Sequence, residues 1–393
     1  MKKKIYLISQ TESELTNRGK RHPNLADFLN ANGFDLEYYS SSFYHAEKVQ
    51  FTRNQITMAN KKIGYQLNII KTFTYYRNIG LGRILSNFKF SYRVFQELKK
   101  KKLENSIIIL PSRPIEVIYF ISKLKNKKNI KLVLDIRDVW PDAFNINNFI
   151  LKKAFKIYCD FFLKKSLPLF DTYIHTCPKF TDWLTRYVPN ANSHFIPLGF
   201  ENKRFEKVEI ANRYLGINKI KFVYIGLLQY QIDIIPFIHC IKNDERFSLT
   251  IYGDDGEGEK YNQLINYVSH FGVKNVFIKG KIPQNQVGEI LNGFHIGLMP
   301  MRAKFAFPNK VFDYIALCLP IFSMGNHDVS TFVNENKIGW VSNYEKTNIN
   351  KNLENLFLNK EYQIPNFSKK IASIKENFSR NSLFKKYLKE IIK

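Results

Sequence analysis

Cysteine is scarce in this chain, with Cys159, Cys177, Cys240 and Cys318 the only four in 393 residues. They show neither the close pairing of a zinc site nor the density of a disulfide scaffold, so reduced core thiols are expected. Long apolar runs are also missing. None approaches the roughly 20 residues needed to span a bilayer. The basic start leads into a short apolar run, Ile5 to Ile8, that reads as a first buried strand and not as a signal peptide. The eight histidines show no His-x-x-x-His or similar spacing, so no metal and no cofactor are expected. Neither half carries Gly-x-Gly-x-x-Gly directly after its first strand, which argues against a dinucleotide dehydrogenase. Acidic residues are few, 34 against 60 Lys and Arg, for a net charge of +26. Residues 1–200 hold 33 of the basic and 15 of the acidic residues, so the excess belongs mainly to the first half. A phospholipid surface or a lipid diphosphate would meet that half first. A Lys-, Asn- and Ile-rich bias along the whole chain is the plain alternative. Nucleic acid is disfavoured, because no helix-turn-helix, zinc-finger spacing or RNP-like strand accompanies the charge.

The length fits two domains of about 200 residues each. A composition of 45% hydrophobic and 15% aromatic residues is ample for packed interiors. Strand and helix signals alternate. Lys4 to Ile8 reads as a strand, followed by a loop to Arg21 and a helix from Pro23 to Ala31 ended by Asn32-Gly33. Leu36 to Tyr39, Ser106 to Leu110 and Ile130 to Asp135 are short apolar runs typical of buried parallel strands. Alternation of this kind implies α/β architecture with doubly wound sheets, in which ligands bind beyond the carboxyl ends of strands. Arg137, Asp138 and Asp142 therefore fall at the edge of a site. Residues 151–165 predict an amphipathic helix with Leu151, Ala154, Phe155, Tyr158, Phe161 and Phe162 on one stripe and Lys152, Lys153, Lys156 and Lys164 around it. Such a stripe serves either a core or a membrane surface.

The charged stretch Glu201 to Asn218 reads as a hinge. Beyond it, Lys221 to Ile225 (meeting Gly226), Ser248 to Tyr252, Val276 to Ile278 and His295 to Met299 read as strands. Helices are expected up to Phe271 and over 284–292. The run Gly253-Asp254-Asp255-Gly256-Glu257-Gly258 lacks the Lys-Ser/Thr of a P-loop and is acidic, so it reads as a turn. Phe367 to Lys393 reads as helix.

The most informative stretch is Lys304-Phe-Ala-Phe-Pro-Asn-Lys-Val-Phe-Asp-Tyr-Ile-Ala-Leu-Cys-Leu-Pro320. Pro308 restricts the chain before a helix, Asn309 can cap it, and Val311, Phe312, Ile315, Ala316 and Leu319 supply the apolar pattern. The free amides and the positive dipole end suit a phosphate. Lys310 adds a full charge, and Asp313, one turn on, is an acceptor for both hydroxyls of a ribose. An ordinary capped core helix would show the same spacing.

Pro308-Asn-Lys-Val-Phe-Asp-Tyr-Ile-Ala316 resembles the donor segment of GT-B glycosyltransferases, above all the GT4-like family that builds bacterial surface polysaccharides. Leu134-Asp-Ile-Arg-Asp-Val-Trp-Pro-Asp142 and Arg21-His-Pro-Asn-Leu-Ala-Asp-Phe-Leu29 are similar to amino-terminal segments of its O-antigen and capsule enzymes. The resemblance implies two Rossmann-like domains facing a central cleft. Residues 1–205 would bind the acceptor, 206–366 the nucleotide sugar, and 367–393 would form a helix crossing back to the first domain. It further implies transfer of a sugar from a nucleotide donor to a lipid-linked glycan, with retention, on the inner face of the cell membrane. Gly226, Lys281, Ile282, Arg302, Asn309, Lys310 and Asp313 would hold the donor, with Lys304 a further candidate cation. Arg137, Lys152, Lys153 and Lys156 would face the acceptor or the membrane.

Departures from the family pattern accompany the matches. Phe305 stands where a glutamate is usual, the later acidic residue is Asp313, and the loop Leu227-Leu-Gln-Tyr-Gln231 lacks the usual Arg and Lys. Cys318 sits where relatives often place glycine, at a cost of about 1 kcal/mol if the backbone is left-handed there. Front-face retention needs no protein nucleophile. An inverting enzyme would need a general base, for which Asp138, Asp142 and His22 are the catalytic candidates; each has a plain reading as a turn or helix-start residue. The rival functions are a nucleotide-sugar epimerase of the same fold and a non-catalytic protein that binds lipid surfaces or polyanions.

Overall fold

The computed structural model describes residues 3–17, 20–77, 80–125, 129–144, 146, 148–205, 216–253, 258–303, 305 and 307–392. The chain divides into two compact units, Met1–Ile196 with Phe384–Lys393, and Pro197–Leu383.

The first unit is built on strands β1 (Ile5–Ile8), β2 (Leu36–Ser41), β5 (Gln66–Ile70), β6 (Ile107–Pro111), β7 (Lys131–Ile136), β8 (Thr172–His175) and β9 (Ser193–Phe195). They form one parallel sheet in the order β5-β2-β1-β6-β7-β8-β9. A small antiparallel hairpin, β3 (Phe43–Tyr44) with β4 (Val49–Gln50), stands apart from it. Strands β6 (Ile-Ile-Ile-Leu-Pro) and β7 (Lys-Leu-Val-Leu-Asp-Ile) have no polar alternation, because helices cover both faces of the sheet. Each fully buried Ile, Leu or Val there contributes about 1.5–3 kcal/mol over an exposed one. The helices are α1 (Arg21–Ala31), α2 (Arg53–Lys62), α3 (Leu81–Lys99), α4 (Ile115–Ser122), α5 (Phe149–Ser166) and α6 (Phe180–Leu184). α3, α4 and α5 pack side by side through edge-on rings, with Phe88 of α3 against Phe120 of α4 at 6.3 Å and against Phe162 of α5 at 5.9 Å.

The second unit has strands β10 (Ile220–Ile225), β11 (Phe247–Tyr252), β12 (Val276–Lys279), β13 (Ile296–Pro300), β14 (Ile321–Met324) and β15 (Gly339–Ser342). Its parallel sheet runs β12-β11-β10-β13-β14-β15. Renumbered within the unit, this is 3-2-1-4-5-6, the doubly wound order of mononucleotide-binding halves. Its helices are α7 (Ile235–Ile241), α8 (Glu259–His270), α9 (Val287–Leu291), α10 (Asn309–Ala316), α11 (Asp328–Asn336), α12 (Lys346–Leu358) and α13 (Lys360–Ile374). Phe222 of β10, Phe237 of α7 and Phe322 of β14 pack edge to face with centroids 5.0–6.0 Å apart, tying strands to helix.

Several expectations change. The run 367–393 is not one helix. α13 ends at Ile374, a 3-10 turn spans Lys375–Phe378, and α14 (Arg380–Tyr387) starts afresh. The break sits at Ser379, whose hydroxyl accepts the Ser382 amide at 3.2 Å and begins the new helix. Phe384 of α14 packs on Phe28 of α1 at 5.6 Å within the first unit. Expected helix 284–292 is shorter, because a 3-10 turn occupies Gln284–Gln286. Residues 206–215 of the expected hinge, 254–257 of the glycine run, and Lys304 lie outside the described residues.

Candidate functional site

In a doubly wound sheet the ligand end is the carboxyl edge, at the point where the strand order reverses. In the second unit that point lies between β10 and β13, which run out at Gly226 and at Met301-Arg302. α10 begins beside it. Pro308, extended at φ −75° and ψ 158°, occupies the cap position and makes no side-chain cap. Asn309 is instead the first helical residue, which corrects the expectation that it caps; a cap side chain must precede the helix.

Lys310 reaches back over the end of β10. Its Nζ donates to Tyr224 Oη at 2.6 Å and lies 3.8 Å from the centre of that ring. Tyr224 Oη in turn donates to the Leu227 carbonyl at 2.8 Å. Gly226, at φ +124°, makes room for this: a Cβ there would come within 3.0 Å of Lys310 Cε and Nζ. Burial lowers the Lys310 ammonium to about 7, with Asp313 pulling the other way. One turn on, Asp313 is 8% exposed and its Oδ1 lies 3.2 Å from Arg204 Nη1. Burial raises the Asp313 carboxyl above its ordinary value, while Arg204 and then Arg380 oppose the shift. Arg380 is itself ion-paired with Glu201. The cluster thus offers a cation and helix amides to an anion, with a carboxylate one turn away.

Arg302 follows β13 at the same edge, 2.6 Å from Asp233 Oδ2 and 4.0 Å over the Tyr344 ring. Lys281 and Ile282 follow β12, two strands from β10 at the edge of the sheet. Tyr224 and Arg204 were not anticipated. Tyr224 reads as one more apolar residue of a buried strand, and Arg204 as one more charge in a hinge.

In the first unit, His22 is fully buried, with Nε2 3.1 Å from Asp135 Oδ2 and Nδ1 3.4 Å from Glu12 Oε2. Arg21 Nε donates to the same Asp135 oxygen at 2.9 Å, and Arg137 pairs with Glu12. The cations hold Glu12 down to about 2 and Asp135 well below its ordinary range, against burial, which pushes both up. Burial lowers His22, but its two carboxylate neighbours outweigh that and raise it overall. Asp138 pairs with Arg113 at 2.7 Å, and Asp142 with Arg186 at 2.6 Å. The structure therefore joins His22 and Arg137 in one buried network and leaves Asp138 and Asp142 in separate ion pairs. Lys152, Lys153 and Lys156 are exposed on α5. That helix starts at Phe149, and its expected stripe is mostly uncovered: only Phe162 is buried, Phe155 and Tyr158 are half-buried, and Ala154, Leu151 (61%) and Phe161 (49%) are exposed, while the buried side is completed by Cys159 and Leu163, outside that stripe.

No protein-family model and no curated protein matches the sequence. Solved structures do match in shape. Sucrose-phosphate synthase from Thermosynechococcus elongatus superposes with a TM-score of 0.71 at 13% identity, over 99% of this chain and 98% of that one. The Anabaena protein HepE, solved in complex with UDP, gives 0.70 at 10% identity, over 98% of each chain. The lipopolysaccharide outer core galactosyltransferase WaaB gives 0.67 at 15% identity, over 99% of each. This is the GT-B fold. Both GT-B units are Rossmann-like, and the cluster around Lys310 lies at the carboxyl edge of the second, where its strand order reverses.

Proposed function

We propose that the chain is a nucleotide-sugar-dependent glycosyltransferase of the GT4-like kind, acting on a lipid-linked glycan in surface polysaccharide synthesis. The observation that carries this reading is Lys310, held by Tyr224 over Gly226 at the strand-order reversal of the second unit. In this reading the Lys310 ammonium and the first amides of α10 take the diphosphate, where leaving-group charge develops. Asp313 takes the ribose hydroxyls through the oxygen that Arg204 does not hold. HepE, whose structures carry UDP and UDP-glucose, makes UDP the first nucleotide to try.

Retention is favoured by the state of the candidate bases. His22 lies between two carboxylates, and Asp138 and Asp142 each face an arginine. With front-face attack, the acceptor oxygen bonds to the anomeric carbon as the bond to phosphate breaks, and the acceptor proton passes to the departing phosphate. The first unit takes the acceptor, at a membrane. Phe149, Ile150 and Ile157 of α5 are 77%, 76% and 62% exposed beside Lys152, Lys153 and Lys156, a combination suited to an anionic lipid surface. No helix among the described residues is long and apolar enough to cross a membrane.

The test is a thermal-shift series with UDP, GDP, CDP, TDP, NAD and ATP on the protein and on Asp313→Asn. Asparagine is used because alanine would strand Arg204. A selective rise in unfolding temperature with one nucleoside diphosphate, reduced in the variant, is expected. No rise with any of them would favour the non-catalytic reading.

A further inference from the structure

Within the second unit, a short bracket of chain delivers Arg204 to α10. Gly199, at φ +66°, lets residues 197–205 close on the 3-10 turn at Lys375–Phe378: a Cβ there would meet Phe378 O at 2.7 Å and Leu383 Cδ1 at 2.5 Å. Phe200 is then held on both sides. Its amide donates to the Phe378 carbonyl at 3.1 Å, and its carbonyl accepts the Arg380 amide at 2.9 Å. Phe378 packs on Phe312 of α10 at 6.0 Å, one residue before Asp313. A 3-10 turn over Asn202–Arg204 completes the bracket, so Arg204 arrives beside Asp313 on backbone tied to the same helix.

The grip itself is one-ended. Arg204 Nη1 lies 3.2 Å from Asp313 Oδ1, while Arg204 Nε is buried with no hydrogen-bond acceptor among the described residues. A forked, two-point pair would occupy both carboxylate oxygens. Here Oδ2 accepts no hydrogen bond among the described residues, although the Asp313 side chain is only 12% exposed. Oxygens that deep are ordinarily bonded, so this one has room for a donor from outside the chain. The charged groups that act on Asp313 are Arg204, Arg380, Glu201 and, one turn back, Lys310. Arg380 is already paired with Glu201, and burial draws Lys310 toward its neutral form. Burial pushes the Asp313 carboxyl up, and Arg204 is the first of the groups that oppose it.

We propose that Arg204 is a positioning residue: by holding Oδ1 it sets Oδ2 as the acceptor for the adjacent hydroxyls of the nucleotide's ribose, and so makes the site selective for a nucleoside diphosphate that carries them. This rests on the glycosyltransferase reading, which puts a nucleotide at α10. A pair that only braced the fold would gain from both points of the fork, whereas a one-ended pair keeps an acceptor open.

Calorimetry measures the affinity of the full chain for UDP and for 2′,3′-dideoxy-UDP from about pH 5.5 to about pH 8.5, alongside Arg204→Met and Arg204→Lys. The ratio of the two affinities cancels the titration of Lys310, because both probes carry the same diphosphate. In the native protein UDP is expected to bind about ten-fold or more tightly. That preference needs an ionised acceptor, so it is lost as pH falls through the Asp313 value. Without the Arg204 charge that value rises, and in Arg204→Met the loss should set in about one pH unit or more higher. Arg204→Lys, which keeps the charge, should return the midpoint toward the native one. A merely structural role would weaken both probes alike and leave the midpoint where it was. An unchanged ratio and midpoint in Arg204→Met overturns the proposal and leaves the glycosyltransferase reading intact. Equal affinity for the two probes in the native protein overturns the ribose role of Asp313 and the proposal with it. Binding of neither probe overturns the proposal, and the thermal-shift series then says whether the nucleotide reading falls too. Should Arg204→Met fail to fold, Arg204→Gln, which lacks the charge but stays polar, is judged by the same criteria.

Discussion

Lys310 joins charge to geometry. Its folded value of about 7 lies below the roughly 10.4 of a free lysine. Between those values the unfolded chain holds a proton that the fold does not. The residue therefore costs stability in full below pH 7, and the cost is lost as pH rises toward the unfolded value. A bound diphosphate reverses the preference, because its charge keeps the proton on. UDP binding at about pH 8 should take up close to one proton more in the native protein than in Lys310→Met, and affinity should fall up to about ten-fold per pH unit above 7. Calorimetry in buffers of different ionisation enthalpy reads this directly. Equal uptake by both proteins would place the proton elsewhere. Lys310→Ala should weaken UDP far more than uridine, since the lost contact is to phosphate.

At the scale of elements, the end of α10 shows how backbone and side chain compete. The Leu319 amide reaches the Tyr314 carbonyl at 2.9 Å, and the Cys318 amide reaches Ile315 at 3.0 Å. This is a Schellman ending, and it puts Cys318 at φ +53°. Cysteine is strained there by about 1 kcal/mol, as the sequence led one to expect. Cys318→Gly should be more stable than Cys318→Ala by about 1 kcal/mol, the reverse of the usual order. Urea unfolding of the two variants checks it, and the ordinary order would mean that the strain is absent. The start of α5 makes a different point. Its heptad-like apolar spacing is compatible with a core face, but the helix meets its neighbours mainly through Phe162 and its surroundings and leaves the first turn uncovered.

For the whole molecule the decisive quantity is charge distribution. The excess of +18 in residues 1–200 against +8 in the remainder is a property of the chain. Its function depends on where the cations end up. Exposed lysines such as Lys152 and Lys153 act through solvent, where the screening length falls from about 10 Å at 0.1 M salt to about 3 Å at 1 M. Lys310 is half-buried against Tyr224 and is screened less. Raising salt from about 0.1 to about 0.5 M should therefore strip the protein from phosphatidylserine vesicles, while the UDP thermal shift largely persists. Flotation and thermal shift at both salts check this, and parallel loss of the two would put nucleotide binding on exposed charge.

The fold class was legible because parallel strands buried on both faces must be continuous apolar runs, and β1, β6, β7, β10 and β13 announce themselves that way. So was α10, whose apolar period and flanking prolines are local. What could not be read was any partnership across the fold. His22 and Asp138 look alike as candidate bases in one dimension, yet Asp135 and Glu12 enclose the first while Arg113 faces the second. The reach of Lys310 to Tyr224, 86 positions apart, has no local trace either. By itself the sequence determined which segments are strands and helices, and hence the two doubly wound sheets, since period and burial are set by neighbouring residues. Only the tertiary structure decided which charges meet, because a charge's role depends on the partners and the water that packing leaves around it.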